Sequence, residues 1–320
     1  MPVNAKAIKA RINASKNTKK ITKAMELVSA AKMKKAVEAT ENTRLYGRLV
    51  NELLQRLAFL DEQNYSLLEL RPVKKVLAIM VSSNRGLCGG YNANVFKTAY
   101  AELADAKNIT RLRIDQEKEP PEPTNEVPHI TILGIGKKSA SFAKRYGYEL
   151  EAVFNDLSER PAYEDIRVIA NMAIEGYKEK KYDKIIVVYT HYKTSLEQQV
   201  KIRQVLPISP FDFHKMEQDV PEKYVPHADV EKTNLQQYLF EPNLEEIIET
   251  TLPKLVHAQI YQAVLESAAS EHSARMIAMK SATDNAGELI EDLTREYNKA
   301  RQAAITQEIA EIAGGAAALS

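Results

Sequence analysis

Between Leu265 and Ala304 the chain repeats every seven residues, and a repeat of that length leaves a helix few choices. Leu265, His272, Met279, Ala286, Leu293 and Ala300 hold one position of the repeat, while Ala269, Met276, Thr283, Ile290, Tyr297 and Ala304 hold a second, four residues on. Spacings of four then three put both sets on one helical stripe, and a strict seven keeps that stripe facing a partner only if two helices wind around each other in a left-handed supercoil. Little interrupts this helix. Asn243, with Glu246 three residues later, is its expected N-cap, Pro253 is expected to kink or restart it, and beyond Pro253 only Gly287 stands alone before Gly314-Gly315. A helix of about 60 residues extends roughly 90 Å, more than a compact domain is wide. Many stripe positions are Ala, Thr or His, so the grip per turn is weaker than in a leucine zipper.

A second long helix is available at the other end of the chain. From Val3 to about Leu60 there is no proline and the only glycine is Gly47. Apolar residues recur at helical spacing in Ile21, Met25 and Val28, then Leu45, Leu49, Leu53, Leu57 and Leu60, and this face is expected to meet the partner. The other faces are basic, with Lys6, Lys9, Arg11, Lys16, Lys19, Lys20, Lys23, Lys32, Lys34 and Lys35 against Glu26 and Glu38. The two ends of the chain are therefore expected to pair, with whatever lies between acting as a clasp.

Between them the pattern changes from period 3.6 to short runs of branched apolar residues. KKVLAIMVSS, HITILG, a segment near Glu149 to Phe154, DKIIVVYTHY and VKIRQVLPI read as strands. Helices are expected at about Asn94 to Lys107, Lys138 to Tyr146 and Ala162 to Glu179. Strand and helix in alternation imply a small Rossmann-like α/β domain with a largely parallel sheet and an antiparallel last strand. The expected organisation is a helix over 1–60, the α/β domain over 72–210, an irregular connection over 211–242 and a helix over 243–320. The acidic, proline-rich run EKEPPEPTNEVP at 117–128 reads as an exposed loop.

Composition narrows the chemistry. Lys and Arg total 44 against 43 for Asp and Glu, so no global charge points to nucleic acid or an anionic membrane. Cys88 is the only cysteine, which excludes an internal disulfide and a cysteine-built zinc site. No run approaches the roughly 18 apolar residues that span a bilayer, and no apolar core follows the basic N-terminus as in a signal peptide. The basic, acid-free first 25 residues imitate a mitochondrial presequence, but the helical pattern continues past them. The turn Gly86-Leu87-Cys88-Gly89-Gly90 and the run Gly134-Ile135-Gly136-Lys137-Lys138-Ser139 both follow strands and open helices, as phosphate loops do. Neither has GxxxxGK[ST] or GxGxxG spacing, so tight structural turns are the plainer reading. His129, His191, His214, His227, His257 and His272 lack paired ligand spacing, and no metal or cofactor is expected.

Three segments together, ITKAMELVSAAKMKKA, SSNRGLCGGYN and the run from ASEHSARMIAMKS to TQEIAEIAGGAAAL, resemble the gamma subunits of bacterial F-type ATP synthases. The resemblance implies an antiparallel coiled coil of the two terminal helices joined to the α/β domain, working as a non-catalytic central shaft. The partners it implies are the hexamer of alpha and beta subunits, the epsilon and delta subunits and the c-ring, with the complex placing the chain peripherally on the cytoplasmic face of the cell membrane. Carried over residue by residue, Lys23 and Met25 would meet an acidic segment of a beta subunit. Arg301, Gln302, Thr306 and Glu308 would meet a beta loop, and Gly314, Gly315, Ala316, Ala317, Ala318 and Leu319 would run in an apolar bearing. The acidic insert and Pro253 depart from the family pattern, and Cys88 alone cannot supply the cysteine pair used for redox control in plastids.

Two other functions compete. A nucleotide-dependent enzyme could use the α/β domain with the coil as an arm, and a nucleic-acid adaptor could use the basic helix through phosphate contacts. Against the second, no aromatic precedes Tyr46, so stacking on single strands is unavailable.

Overall fold

The computed structural model describes residues 5–57, 65–113, 126–155, 157, 161–208 and 244–319. Residues 117–125 of the acidic insert, the whole connection over 211–242, the expected cap Asn243 and the side chains over 44–57 lie outside the described residues. The elements in order are α1 (Ala5–Leu57), β1 (Lys75–Val81), α2 (Tyr91–Ala104), α3 (Ala106–Thr110), β2 (His129–Ile135), α4 (Lys137–Tyr146), β3 (Glu149–Phe154), α5 (Tyr163–Lys178), β4 (Lys184–Tyr192), β5 (Gln198–Leu206) and α6 (Leu244–Leu319). The chain divides into two compact units: Lys32–Ala274, and Met1–Ala31 with Arg275–Ser320.

In the first unit the strands form one sheet in the order β3-β2-β1-β4-β5. β1, β2, β3 and β4 are parallel, and β5 returns antiparallel beside β4. Alternation along each strand sorts side chains onto two faces. Leu77, Ile79 and Val81 of β1, with Ile185, Val187 and Tyr189 of β4, face a core closed by α5 and by Ile248 to Val264 of α6. Val76, Ala78 and Met80, with Ile186 and Val188, face a second core closed by α2 and α4. Burial on both faces is why β1 and β4 read as continuous apolar runs.

The ends of these elements are fixed by particular side chains. Asp183 accepts from the backbone N–H groups of Lys74 and Lys75 at 3.0 and 2.9 Å and from Arg71 Nε at 3.1 Å, tying the starts of β1 and β4 together. Arg71 also donates to the carbonyls of Tyr177 and Tyr182 and lies over the Tyr177 ring. α2 begins three residues before the expected Asn94, and the expected single helix to Lys107 is broken at Asp105. That residue ends α2 and caps α3 by accepting from Lys107 N and Asn108 N. Pro253 neither ends nor restarts α6. A proline in a helix interior costs about 3 kcal/mol, and Leu252, Leu255 and Val256, all buried around it, offset that at about 1.5–3 kcal/mol each.

In the second unit α1 and α6 pair. Ile8 and Ile12 cluster with Leu293, Ile290, Tyr297 and Ala300, and further along Thr22 meets Thr283 at 2.8 Å. Numbers rise along one helix as they fall along the other, so the pair is antiparallel. On α6, Met279, Thr283, Ala286 and Leu293 are buried, as the seven-residue repeat requires. The repeat stops at Ala300, and Ala304 is exposed.

The expected face of α1 is corrected. Ile21 and Val28 are 61% and 52% exposed and Met25 is half-buried, whereas Thr22 and Ser29 are 9% and 3% exposed. The buried line runs through Ile8, the half-buried Ser15, Thr22 and Ser29, one residue away from the apolar stripe. Small hydroxyl residues bring the backbones close, and their own needs are met within the helix: Thr22 donates to Lys19 O at 3.1 Å and Ser29 to Met25 O at 2.7 Å.

Candidate functional site

In a doubly wound sheet the ligand crevice lies outside the carboxyl ends of the strands where their order reverses. Here that point lies between β1 and β4, and both glycine-rich turns belong to its rim. The first turn is knit to itself and the second is bonded to the first. Ser83 N donates to Asn92 Oδ1 at 3.1 Å, Asn92 Nδ2 to Ser83 Oγ at 2.7 Å and to Cys88 Sγ at 3.3 Å, and Ser83 Oγ to Arg85 O at 2.7 Å. The first amides of α4, which a phosphate would need, are already engaged: Lys137 N donates to Asn84 Oδ1 at 3.0 Å and Lys138 N to Ser83 O at 3.2 Å. The glycines there answer to packing. A Cβ on Gly136, at φ +89°, would lie 2.1 Å from Ser82 O, and one on Gly134 would lie 2.0 Å from Ser139 Oγ.

β1 pairs with β4 only as far as Val188. Beyond it helix α6 takes over the polar groups of β4. Thr190 N donates to Ser267 Oγ at 2.9 Å, and Thr190 O accepts from Ser270 Oγ at 3.1 Å. One residue on, His191 Nδ1 lies 2.6 Å from Glu266 Oε2, with the two side chains 3% and 2% exposed. Gln262 Nε2 donates to the other Glu266 oxygen at 3.0 Å. Ser273 Oγ donates to Ser195 O at 2.6 Å in the β4–β5 turn. The helix thus lies where a nucleotide would enter, bonded to the strand end. No sequence pattern marked Glu266, Ser267, Ser270 and Ser273 beforehand, because serines at helical spacing carry no signal without the strand they meet.

The described histidines do not converge. His129 pairs with Glu149 at 2.6 Å on the surface, His257 sits between Tyr163 Oη and Asn171 Oδ1 at 3.1 and 2.8 Å, and His214 and His227 lie outside the described residues. Among the described residues no group of three or more His, Cys, Asp or Glu side chains could hold a metal ion. Burial, reinforced by Arg167, lowers the His257 pKa and favours the neutral ring. In that form Nε2–H donates to Asn171 and Nδ1 accepts from Tyr163.

The residues expected to touch partners fall on the helix pair, at two separate places. Lys23 is exposed and pairs with Glu26 at 2.9 Å, while Met25 is half-buried. Lys16, Lys19, Lys20 and Lys23 line an open groove of about 1010 Å³ with Leu27 and Thr283. Arg301, Gln302, Thr306 and Glu308 stand on a stretch of α6 in which every residue from Arg301 to Gly314 is exposed. Ile305, Ile309 and Ile312 form an exposed apolar stripe on the same stretch. The helix continues through Gly314 and Gly315 to Leu319, and the side chains from Gly315 onward lie outside the described residues.

The family model described as ATP synthase matches residues 4–319. The chain is 37% identical over 318 residues to the ATP synthase gamma chain of Glaesserella parasuis, covering 98% of this chain and 99% of that one. It is also 37% identical over 320 residues to the gamma chain of Alkaliphilus metalliredigens, covering all of both. The chain belongs to the ATP synthase gamma-chain family. The fold agrees. The mitochondrial ATP synthase rotor of Euglena gracilis matches with a TM-score of 0.58 at 21% identity, over 94% of this chain and 98% of that one. The central stalk of the Tetrahymena thermophila enzyme matches with a TM-score of 0.53 at 22% identity, over 82% and 99%. For a gamma chain, the two long helices and the sheet are the expected parts.

Proposed function

We propose that this gamma chain is the central rotor shaft of a proton-translocating F-type ATP synthase, coupling proton flow to ATP synthesis and hydrolysis by rotation. The full-length match to gamma chains carries the reading. The partners are a hexamer of alpha and beta subunits, the epsilon and delta subunits and the c-ring. No described helix is long and apolar enough to cross a membrane, which fits a peripheral subunit held at the cytoplasmic face of the membrane by its complex.

Lys23 and Met25 meet the acidic segment of a beta subunit, Arg301, Gln302, Thr306 and Glu308 meet a beta loop, and Gly314 to Leu319 run in the bearing. The four lysines of the α1 groove support the first assignment, since complementary charge guides a partner without locking it at one angle. The exposed isoleucine stripe supports the second, because such a stripe on one helix calls for cover. The chain has no active site of its own in this reading, and the use of the strand-end crevice by α6 supports it over a nucleotide-dependent enzyme. Purification of the tagged chain from its host tests the proposal: alpha and beta subunits should accompany it. A chain that comes alone and binds labelled ATP tightly in equimolar amount would favour the enzyme instead.

A further inference from the structure

The bonds between α6 and the end of β4 differ in kind from the rest of the packing around them. Apart from His257, which bonds to Tyr163 and Asn171 of α5, α6 elsewhere meets the sheet unit through Leu252, Leu255, Val256, Ile260 and Val264, and apolar contacts resist separation but tolerate sliding and rotation of a helix about its axis. At Glu266, Ser267, Ser270 and Ser273 the contact is made of directional bonds to fixed atoms of β4 and its turn, with Gln262 holding the Glu266 carboxylate from within the helix. Rotation of the helix by a small angle breaks all of them at once. A buried ion pair or hydrogen-bonded carboxylate brings a desolvation cost that apolar residues of like volume would avoid, and fixing register is the best-attested use of such groups.

We propose that this polar joint, Glu266 with His191 and Ser267 and Ser270 with Thr190, is the torque clasp of the shaft: the place where twisting force passes between the sheet unit and helix α6. These are positioning residues, and the inference rests on the rotor reading. The clasp fixes the angle of α6 about its own axis, so that turning force on the sheet turns the helix instead of being lost as slip.

The test is made in the assembled, membrane-bound synthase carrying Ser267→Ala with Ser270→Ala. Alanine keeps the helix and removes only the hydroxyls. Each hydrogen bond is worth about fivefold in the population holding the joint closed, so ATP-driven proton pumping per ATP hydrolysed should fall by about fivefold or more against a proton gradient, with hydrolysis within about twofold of normal. The hydrolysis rate is the control, since a merely structural loss would lower hydrolysis and pumping together, whereas slip lowers only their ratio. An assembled alanine variant with an unchanged ratio overturns the clasp. Should that variant fail to assemble, Glu266→Gln, which keeps shape and removes charge, decides: a lowered ratio supports the clasp and an unchanged one overturns it. Failure of the rotor reading shows separately, as an unsubstituted chain that does not co-purify with alpha and beta subunits.

Discussion

Thr22 and Thr283 meet hydroxyl to hydroxyl across the helix pair, 2.8 Å apart and both buried. A leucine zipper would place methyl groups there. Thr22 donates to Lys19 O, and the single Thr283 proton is shared between Thr22 Oγ1 and Met279 O, so the bond across the seam adds register more than strength. Thr283→Val alone should lower the unfolding free energy by about 1 kcal/mol, while Thr22→Val together with Thr283→Val should bring it back close to that of the parent. Thermal unfolding of the four proteins of this double-mutant cycle reads both values.

The α1 seam was the least legible part of the fold, and the reason is physical. Its burial follows Ile8, Ser15, Thr22 and Ser29 at intervals of seven, but reading by hydrophobicity picks Ile21, Met25 and Val28 instead. Small hydroxyl residues are buried here because they let two backbones approach, which hydrophobicity does not score. The strands were legible because β1 and β4 are buried on both faces and so carry unbroken Val, Ile and Leu runs. The division at Asp105 was not, since it turns on one side chain capping two amides. At the candidate surfaces, Arg301, Gln302, Thr306 and Glu308 could be picked out by resemblance alone. The α6 serines could not, because their role depends on a strand some 75 residues or more distant in the chain.

Removing the guanidinium of Arg71 leaves the Asp183 carboxylate, only 14% exposed at the strand starts, short of a charged partner. Arg71→Ala should destabilise the sheet unit by about 3 kcal/mol, and Asp183→Asn by about 2 kcal/mol, since the amide still accepts one backbone bond. Denaturant midpoints of the purified chain check both.

His257 gives the sheet unit a pH dependence with a definite sign. Its folded pKa is depressed by burial and by Arg167 below its ordinary 6.5, so at pH values between the two the unfolded chain binds more protons. Its contribution is fully present above 6.5 and is lost as pH falls through the depressed folded value. Unfolding free energy should therefore decline on acidification below 6.5, and His257→Gln should flatten that part of the profile. An unaltered slope in the variant would assign the decline to other groups.

Gly136→Ala separates packing from phosphate binding at the second glycine-rich turn. The added Cβ would meet Ser82 O at 2.1 Å, and the loss of stability should exceed about 2 kcal/mol. Calorimetric titration with ATP should give no tight equimolar binding to the parent chain, so that the substitution has only a stability effect.

The central claim is that the two ends of this chain wind together and turn as one body. Thr22→Cys with Thr283→Cys tests it directly, because the hydroxyls being replaced already touch and the one native cysteine, Cys88, is buried. Mild oxidation of the assembled synthase should form the bridge in nearly every complex and leave ATP-driven proton pumping at the level of the reduced enzyme. Failure of the bridge to form, or pumping that stops on oxidation and returns with reductant, would contradict it.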